Sequence, residues 1–309
     1  MNVSCRLLQV ALALALVVVG ASSYLRLAGN GLGCAPWPAC YGTTAATESA
    51  NRTTPVSTLR LVHRVAATTF LLVATVGVVL GWRGWRRAQR LQGALLLLVT
   101  LGLAVIGRFT PSALPWITWL NVLGGFLLIA VTLALLSSRF GDRAADAGAK
   151  KGAPLARQQI PLAPLLLLFL VAQVLGGTLL SSRLAAAACV PACAHAPRGN
   201  LVALWNPLQA GDATSVAGDP GGAAMLNGLH RIGGLLLALA ALAAAALAPR
   251  STRRAAIALA ASAVLVLGFT LTHWPNAALG AAHALAAAVL VASLARLLPW
   301  QIQQKGTSP

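Results

Sequence analysis

Long apolar stretches separated by shorter polar segments form the dominant pattern of this chain. A helix needs about 20 mostly apolar residues to cross the hydrocarbon core of a bilayer, and all but the third and seventh stretches approach or exceed that length. The pattern predicts eight membrane-spanning helices, at about residues 7–25, 58–81, 91–107, 115–137, 161–181, 223–248, 255–272 and 277–298. We therefore expect an all-α integral membrane protein.

The composition supports this interpretation. Hydrophobic residues make up 58% of the chain and charged residues only 9%, whereas soluble domains carry about 25% charged residues. Intrinsic disorder is excluded as well, because it requires low hydrophobicity. The net charge of +18 matches the excess of Lys and Arg in cytoplasmic loops. No basic run is interleaved with aromatic residues, so we expect the lipid bilayer, and no nucleic acid, as a partner.

Basic residues are concentrated in three of the predicted connections, which follow the second, fourth and sixth spans. These segments are Arg83–Arg90, Arg139–Arg157 and Arg250–Arg254. The positive-inside rule places them in the cytoplasm together with both termini, and it places the long loops 27–57 and 182–222 outside.

Residues of the types that bind ligands or shape helices recur in the same order in the two halves of the chain. The matching positions are Gly20 with Gly176, Arg26 with Arg183, Cys34 and Cys40 with Cys189 and Cys193, His63 and Arg64 with His230 and Arg231, Pro111 with Pro275, and Asn121 with His283. We interpret this as a duplication of a four-helix bundle in one orientation, with halves 1–138 and 161–309 joined by a cytoplasmic linker, 139–160. The first span also resembles a cleaved signal peptide, but its counterpart inside the chain argues against cleavage.

Three histidines lie inside predicted spans, at a depth of roughly 7–12 Å given the rise of an α-helix. Polar side chains at such positions are costly and are candidates for function. His230 and His283 lie at similar depth in one half, which favours two imidazoles binding one heme iron from opposite faces. Gly233 and Gly234 share the helix face of His230 and leave room for a flat macrocycle, although close helix packing explains them too. For His63, iron binding and an ordinary core position remain equally open.

Arginines also cluster at the predicted outer ends of the spans, where the positive-inside rule disfavours them. The group comprises Arg26, Arg60, Arg64, Arg108, Arg183 and Arg231. Heme propionates are candidate partners, because guanidinium groups bind carboxylates through two parallel hydrogen bonds. Contact of the arginines with lipid phosphates accounts for part of the group.

Four of the five cysteines lie in predicted outer loops, as the pairs Cys34 with Cys40 and Cys189 with Cys193. An oxidising compartment favours one disulfide in each loop, with either a structural or a redox role. Cys5, near the predicted cytoplasmic face, should stay reduced. A metal site formed by Cys189, Cys193 and His195 lacks an evident fourth ligand, and the role of His273 stays open.

The first predicted outer loop holds the most specific motif, which comprises Arg26, Leu27, Gly31, Leu32, Gly33, Cys34, Trp37, Pro38, Cys40, Tyr41 and Gly42. With the two His-Arg spans, it resembles the heme A synthase family of cytochrome oxidase assembly proteins over nearly the whole chain. The resemblance implies a bacterial inner-membrane oxidoreductase that converts the C8 methyl group of heme O to a formyl group. It implies a heme b cofactor bound by His230 and His283, and a heme O substrate docked in the first half with His63 as the catalytic residue. Heme O synthase and oxidase assembly proteins are the implied partners.

The chain departs from the family pattern at two positions of the first half. Arg60 occupies a position where family members carry glutamate, and Asn121, a poor iron ligand, replaces the second histidine of that half. The alternatives are a non-catalytic heme-binding assembly factor and a b-type electron-transfer cytochrome. A transporter has little support, because no predicted span contains an Asp or Glu that could carry protons.

Overall fold

Eight α-helices form the described part of the chain. The computed structural model describes residues 3–28, 54–107, 115–146, 163–182, 220–248, 253–271 and 276–296. The helices are α1 (Val3–Leu27), α2 (Thr54–Trp82), α3 (Arg87–Gly107), α4 (Pro115–Asp146), α5 (Ala163–Ser182), α6 (Pro220–Leu247), α7 (Arg253–Leu271) and α8 (Ala277–Arg296). Each predicted span coincides with one of them, so the predicted all-α class is confirmed for these residues.

Seven of the described helices are long and apolar enough to cross a membrane. The exception is α7, whose apolar stretch, Ala256–Gly268, is shorter. Large apolar side chains remain exposed on the helix surfaces, for example Leu98 at 69% and Leu168 at 69%, as expected where lipid replaces water. The chain is therefore a multi-pass membrane protein.

One predicted boundary differs clearly from the structure. Helix α4 continues to Asp146, so residues 139–146 of the predicted linker are helical, and Asp142 lies in a helix and not in a loop. Hydropathy marks where an apolar span ends, but a helix continues wherever the following residues tolerate helical geometry, as Ala144 and Ala145 do well.

The helices pack as two sets of four. In the first set, α1 contacts α2 and α4, and α3 contacts α2 and α4; in the second, α5 contacts α6 and α8, and α7 contacts α6 and α8. The two sets meet through α1, α4, α5 and α8, and each of these helices contacts both of the helices opposite. Fully buried alanines such as Ala11 on α1 and Ala288 on α8 permit a close approach of backbones. This arrangement places α1 and α4 beside the interior of the second set.

Candidate functional site

A cavity lies inside the second set of helices, and α5, α6, α7 and α8 supply most of its wall. It lies toward one end of the bundle, where α1 and α5 finish and α6 and α8 begin. We call this the upper end. Helices of the first set complete the wall with Arg26 of α1 and Phe126 of α4. His230 on α6 and His283 on α8 both line this cavity.

The two histidine rings approach each other closely. Their centroids are 6.0 Å apart and their planes are inclined by 79°. Because a metal–imidazole bond is about 2.0–2.1 Å long and a ring centre lies about 1.1 Å from its nitrogen, two imidazoles on opposite sides of one metal ion have centroids about 6.3 Å apart. The separation of the His230 and His283 rings is therefore compatible, in distance, with two imidazoles that bind one metal ion.

The His283 ring is held in one tautomer. Its Nδ1 donates a hydrogen bond to the carbonyl oxygen of Val266 on α7, at 3.1 Å. With the proton on Nδ1, the lone pair of Nε2 is available for a metal, and this outer hydrogen bond is the usual support of a ligating histidine. Asn276 fixes the start of α8 by accepting hydrogen bonds from the backbone N–H groups of Ala278 and Leu279 with its Oδ1.

The His230 ring lacks a comparable hydrogen bond within the described residues. Its Nδ1 is buried without a hydrogen-bond partner there, and so is Oε1 of Gln173 on α5. Both residues line the cavity. A side chain at Gly233, one helical turn after His230, would collide with the amide of Gln173. Nδ1 of His230 on α6 and Oε1 of Gln173 on α5 could therefore form a hydrogen bond in which the nitrogen donates and the oxygen accepts.

Gly177 on α5 makes room for the His230 ring. A Cβ atom at this position would lie 2.7 Å from Cε1 of His230 and 3.1 Å from its Nε2. Such separations are shorter than ordinary van der Waals contacts between carbon atoms, which lie near 3.5–4.0 Å. The imidazole therefore packs directly on the backbone of α5, and only glycine fits there with the ring in this place.

The glycines predicted to leave space for a macrocycle divide between two roles. Gly234 lines the cavity, whereas Gly233 faces Gln173. The sequence analysis did not predict Gln173 or Gly177 as site residues. Gln173 could have been found as an amide inside an otherwise apolar span. Nothing in the local sequence distinguishes Gly177.

The other predicted site residues lie elsewhere. His63 and Arg64 are half-buried on α2, and Arg231 is exposed on α6; none of the three lines this cavity. Within the described ranges, no group of three or more His, Cys, Asp or Glu residues is placed to hold a metal ion. Arg60 is also half-buried on α2 and does not line this cavity. The remaining candidates lie outside the described residues: Cys34, Cys40, Cys189, Cys193, His195, His273, Arg108 and Arg183.

Comparison with known proteins gives two findings. Residues 5–295 match the model of a family described as cytochrome oxidase assembly protein. A protein named heme A synthase from Shewanella oneidensis is 27% identical over 205 residues. That alignment covers 60% of this chain and 60% of the relative, so it spans less than two thirds of the relative's length.

Proposed function

Because this chain belongs to the cytochrome oxidase assembly protein family, we propose that its cavity binds heme b, with His230 and His283 as the two iron ligands. We extend the proposal to the activity: a heme A synthase-type membrane oxidoreductase that converts heme O to heme A for terminal oxidases. The family assignment confirms the resemblance predicted from the outer-loop motif. The observation that carries the heme proposal is the pair of imidazoles in one cavity with centroids 6.0 Å apart.

In this proposal the protein supplies the ligands and a largely apolar enclosure. Heme b, when bound, would supply one-electron transfer, and the imidazoles of His230 and His283 with their hydrogen bonds would tune its potential. Val266 orients His283 through its carbonyl oxygen, and the backbone at Gly177 seats His230. Apolar wall residues such as Leu170 and Leu237 exclude water from the deeper part.

The first half holds the heme O substrate in the proposed reaction, with His63 as its docking and catalytic residue. His63 is half-buried near the start of α2, at the same upper end as the cavity. Asn121 is half-buried on α4 and is a poor iron ligand. His63 alone would therefore leave one iron position open, which suits an oxidation better than a doubly ligated iron does.

The arrangement in the membrane is part of the same proposal: eight spans in two duplicated four-helix bundles, with both termini cytoplasmic, in a bacterial inner membrane. The equivalent helix contacts of the two sets and the basic connections after α2, α4 and α6 support it. We also propose that Arg64 and Arg231 contact heme propionates and that each outer loop contains one disulfide. The proposed partners are heme O synthase and oxidase assembly proteins.

A second candidate function is a heme-holding assembly factor without oxidase activity. Two residues of the first half favour it. Arg60 replaces an acidic residue of the family pattern, and Asn121 replaces a histidine. Both changes fall in the half proposed to hold the substrate and leave the His230 and His283 pair intact.

Expression in a bacterial strain that lacks its own heme A synthase but makes heme O tests the enzyme proposal. We expect heme A to appear in the membranes of cells that express this chain, measured by heme extraction and chromatography. His63→Ala should abolish heme A while the purified protein keeps heme b. If the expressed protein holds heme b and no heme A forms, the enzyme is contradicted and the assembly factor is favoured.

Gln173 should support His230 as a hydrogen-bond acceptor. Ligating histidines usually donate their second N–H, and loss of that outer partner costs about 10- to 100-fold in metal affinity. We therefore expect Gln173→Leu to weaken heme binding by about tenfold and to raise the reduction potential, because the imidazole becomes less basic. The matched control is Gln92→Leu on α3, which removes another buried amide oxygen without a described partner. Equal effects of the two substitutions would contradict this role.

A further inference from the structure

Arg26, on the last turn of α1, reaches the cavity from the first set of helices. It lines the same cavity as His230 and His283. Its Nε donates a hydrogen bond to Oγ of Ser181 on α5, at 3.1 Å. Ser181 is buried and itself donates to the carbonyl oxygen of Thr178. The guanidinium is thereby held in one orientation at the contact between the two sets of helices.

The described residues provide no acidic partner near this guanidinium. Their only acidic residues, Asp142 and Asp146, lie in the last turns of α4. Gly125 of α4 packs against Val19 of α1, so Asp142 lies about 25 Å farther along the helix, toward the opposite end of the bundle, at 1.5 Å per residue. A charged side chain inside a membrane protein is costly without a counter-charge. An anionic ligand group would compensate for that cost.

The lining of the cavity changes from polar to apolar with depth. Its polar residues near the upper end are Arg26, Thr178, Ser181, Asn227 and Asn276. Farther from the helix ends, most of the wall is apolar, with side chains such as Phe126, Leu170 and Leu237, and Gln173 is a polar residue among them. This polarity fits an amphipathic ligand whose anionic edge points to the upper end and whose apolar body lies below.

We propose that Arg26 and Ser181 form a carboxylate-binding site for a propionate group of the bound heme; the inference rests on the proposed heme site. Ser181 engages Nε of Arg26, which leaves the two terminal amino groups of the guanidinium to bind the carboxylate. Ligands on α6 and α8 would then hold the iron while α1 holds the anionic edge. The heme site of the second set is complete only with a residue of the first set.

The role of the carboxylate can be tested by comparing the affinities of the unaltered protein for heme b and for its dimethyl ester, which lacks the two negative charges. The protein is produced in heme-deficient cells and titrated with each compound. We expect the ester to bind about 30-fold more weakly, which is the lower end of the loss when one partner of a desolvated charge pair is removed. In Arg26→Gln, heme b should bind more weakly by a similar factor, and the difference in affinity between heme b and the ester should become much smaller.

Arg6→Gln is the matched control, since Arg6 is an exposed arginine at the other end of α1; it should bind both compounds as the unaltered protein does. Arg26→Lys keeps the charge but lacks the forked geometry, so it should retain part of the difference. Equal affinity of the unaltered protein for heme b and the ester would overturn the inference while leaving the proposed heme site intact. Failure to bind either compound would overturn the proposed function as well.

Discussion

Replacement of His230 or His283 by alanine should remove nearly all heme from the purified protein. Loss of an outer hydrogen-bond partner already costs about 10- to 100-fold in metal affinity, so loss of a direct ligand should cost more. Heme that remains should show a changed spectrum, because one axial position has lost its nitrogen. The measurements are the heme-to-protein ratio and the absorption spectra of the oxidised and reduced protein.

His63→Ala is the matched control for this experiment. It removes a histidine from an equivalent place in the first set of helices, outside the cavity. We expect heme b and its spectrum to be retained. If His63→Ala removes heme while His230→Ala and His283→Ala leave the spectrum unchanged, the ligand assignment is wrong.

A side chain at Gly177 should have the next largest effect. In Gly177→Val, the new Cβ would lie 2.7 Å from Cε1 of His230, and the two added methyl groups increase the conflict. Overpacking of a tight interior costs about 1–3 kcal/mol, and here the strain falls on an iron ligand, so we expect heme affinity to drop by about 5- to 150-fold. Titration with heme and the spectrum of the bound state give the two readouts.

Gly228→Val provides the comparison, because nothing lies within 4 Å of a Cβ at Gly228. Both substitutions place a β-branched residue in a helix, so their effects on helix propensity are similar. We expect Gly228→Val to bind heme as the unaltered protein does. Normal heme affinity in Gly177→Val would show that His230 does not need its observed position against α5.

The helices were predictable from the sequence because hydropathy and length are local properties. A span of about 20 apolar residues has one stable structure in a bilayer, in which its backbone groups hydrogen-bond within the segment. The limits of this argument appear at α4, where residues 139–146 are helical beyond the apolar span. Seven of the described helices are long and apolar enough to cross a membrane, and α7 has a shorter apolar stretch.

The candidate site was predictable in part. His230 and His283 stand out because histidine is rare and costly in an apolar span, and the structure brings the two rings together. Gln173 and Gly177 acquire meaning only from their position opposite α6. Arg26 appeared in the sequence as one of several arginines at the predicted outer ends. The structure places it beside Ser181 and in the lining of the cavity, which Arg60, Arg64 and Arg231 do not line.

Sequence therefore settles the membrane class, the positions of the helices and the residue types able to bind iron, since each follows from the transfer of single side chains and short segments into lipid. The packing of the helices settles which of these residues share a cavity and which hydrogen bonds orient them. Arg26 and Ser181 are 155 positions apart along the chain, so no local sequence pattern could predict that they are in contact. Their contact exists because α1 and α5 pack against each other where the two sets of helices meet.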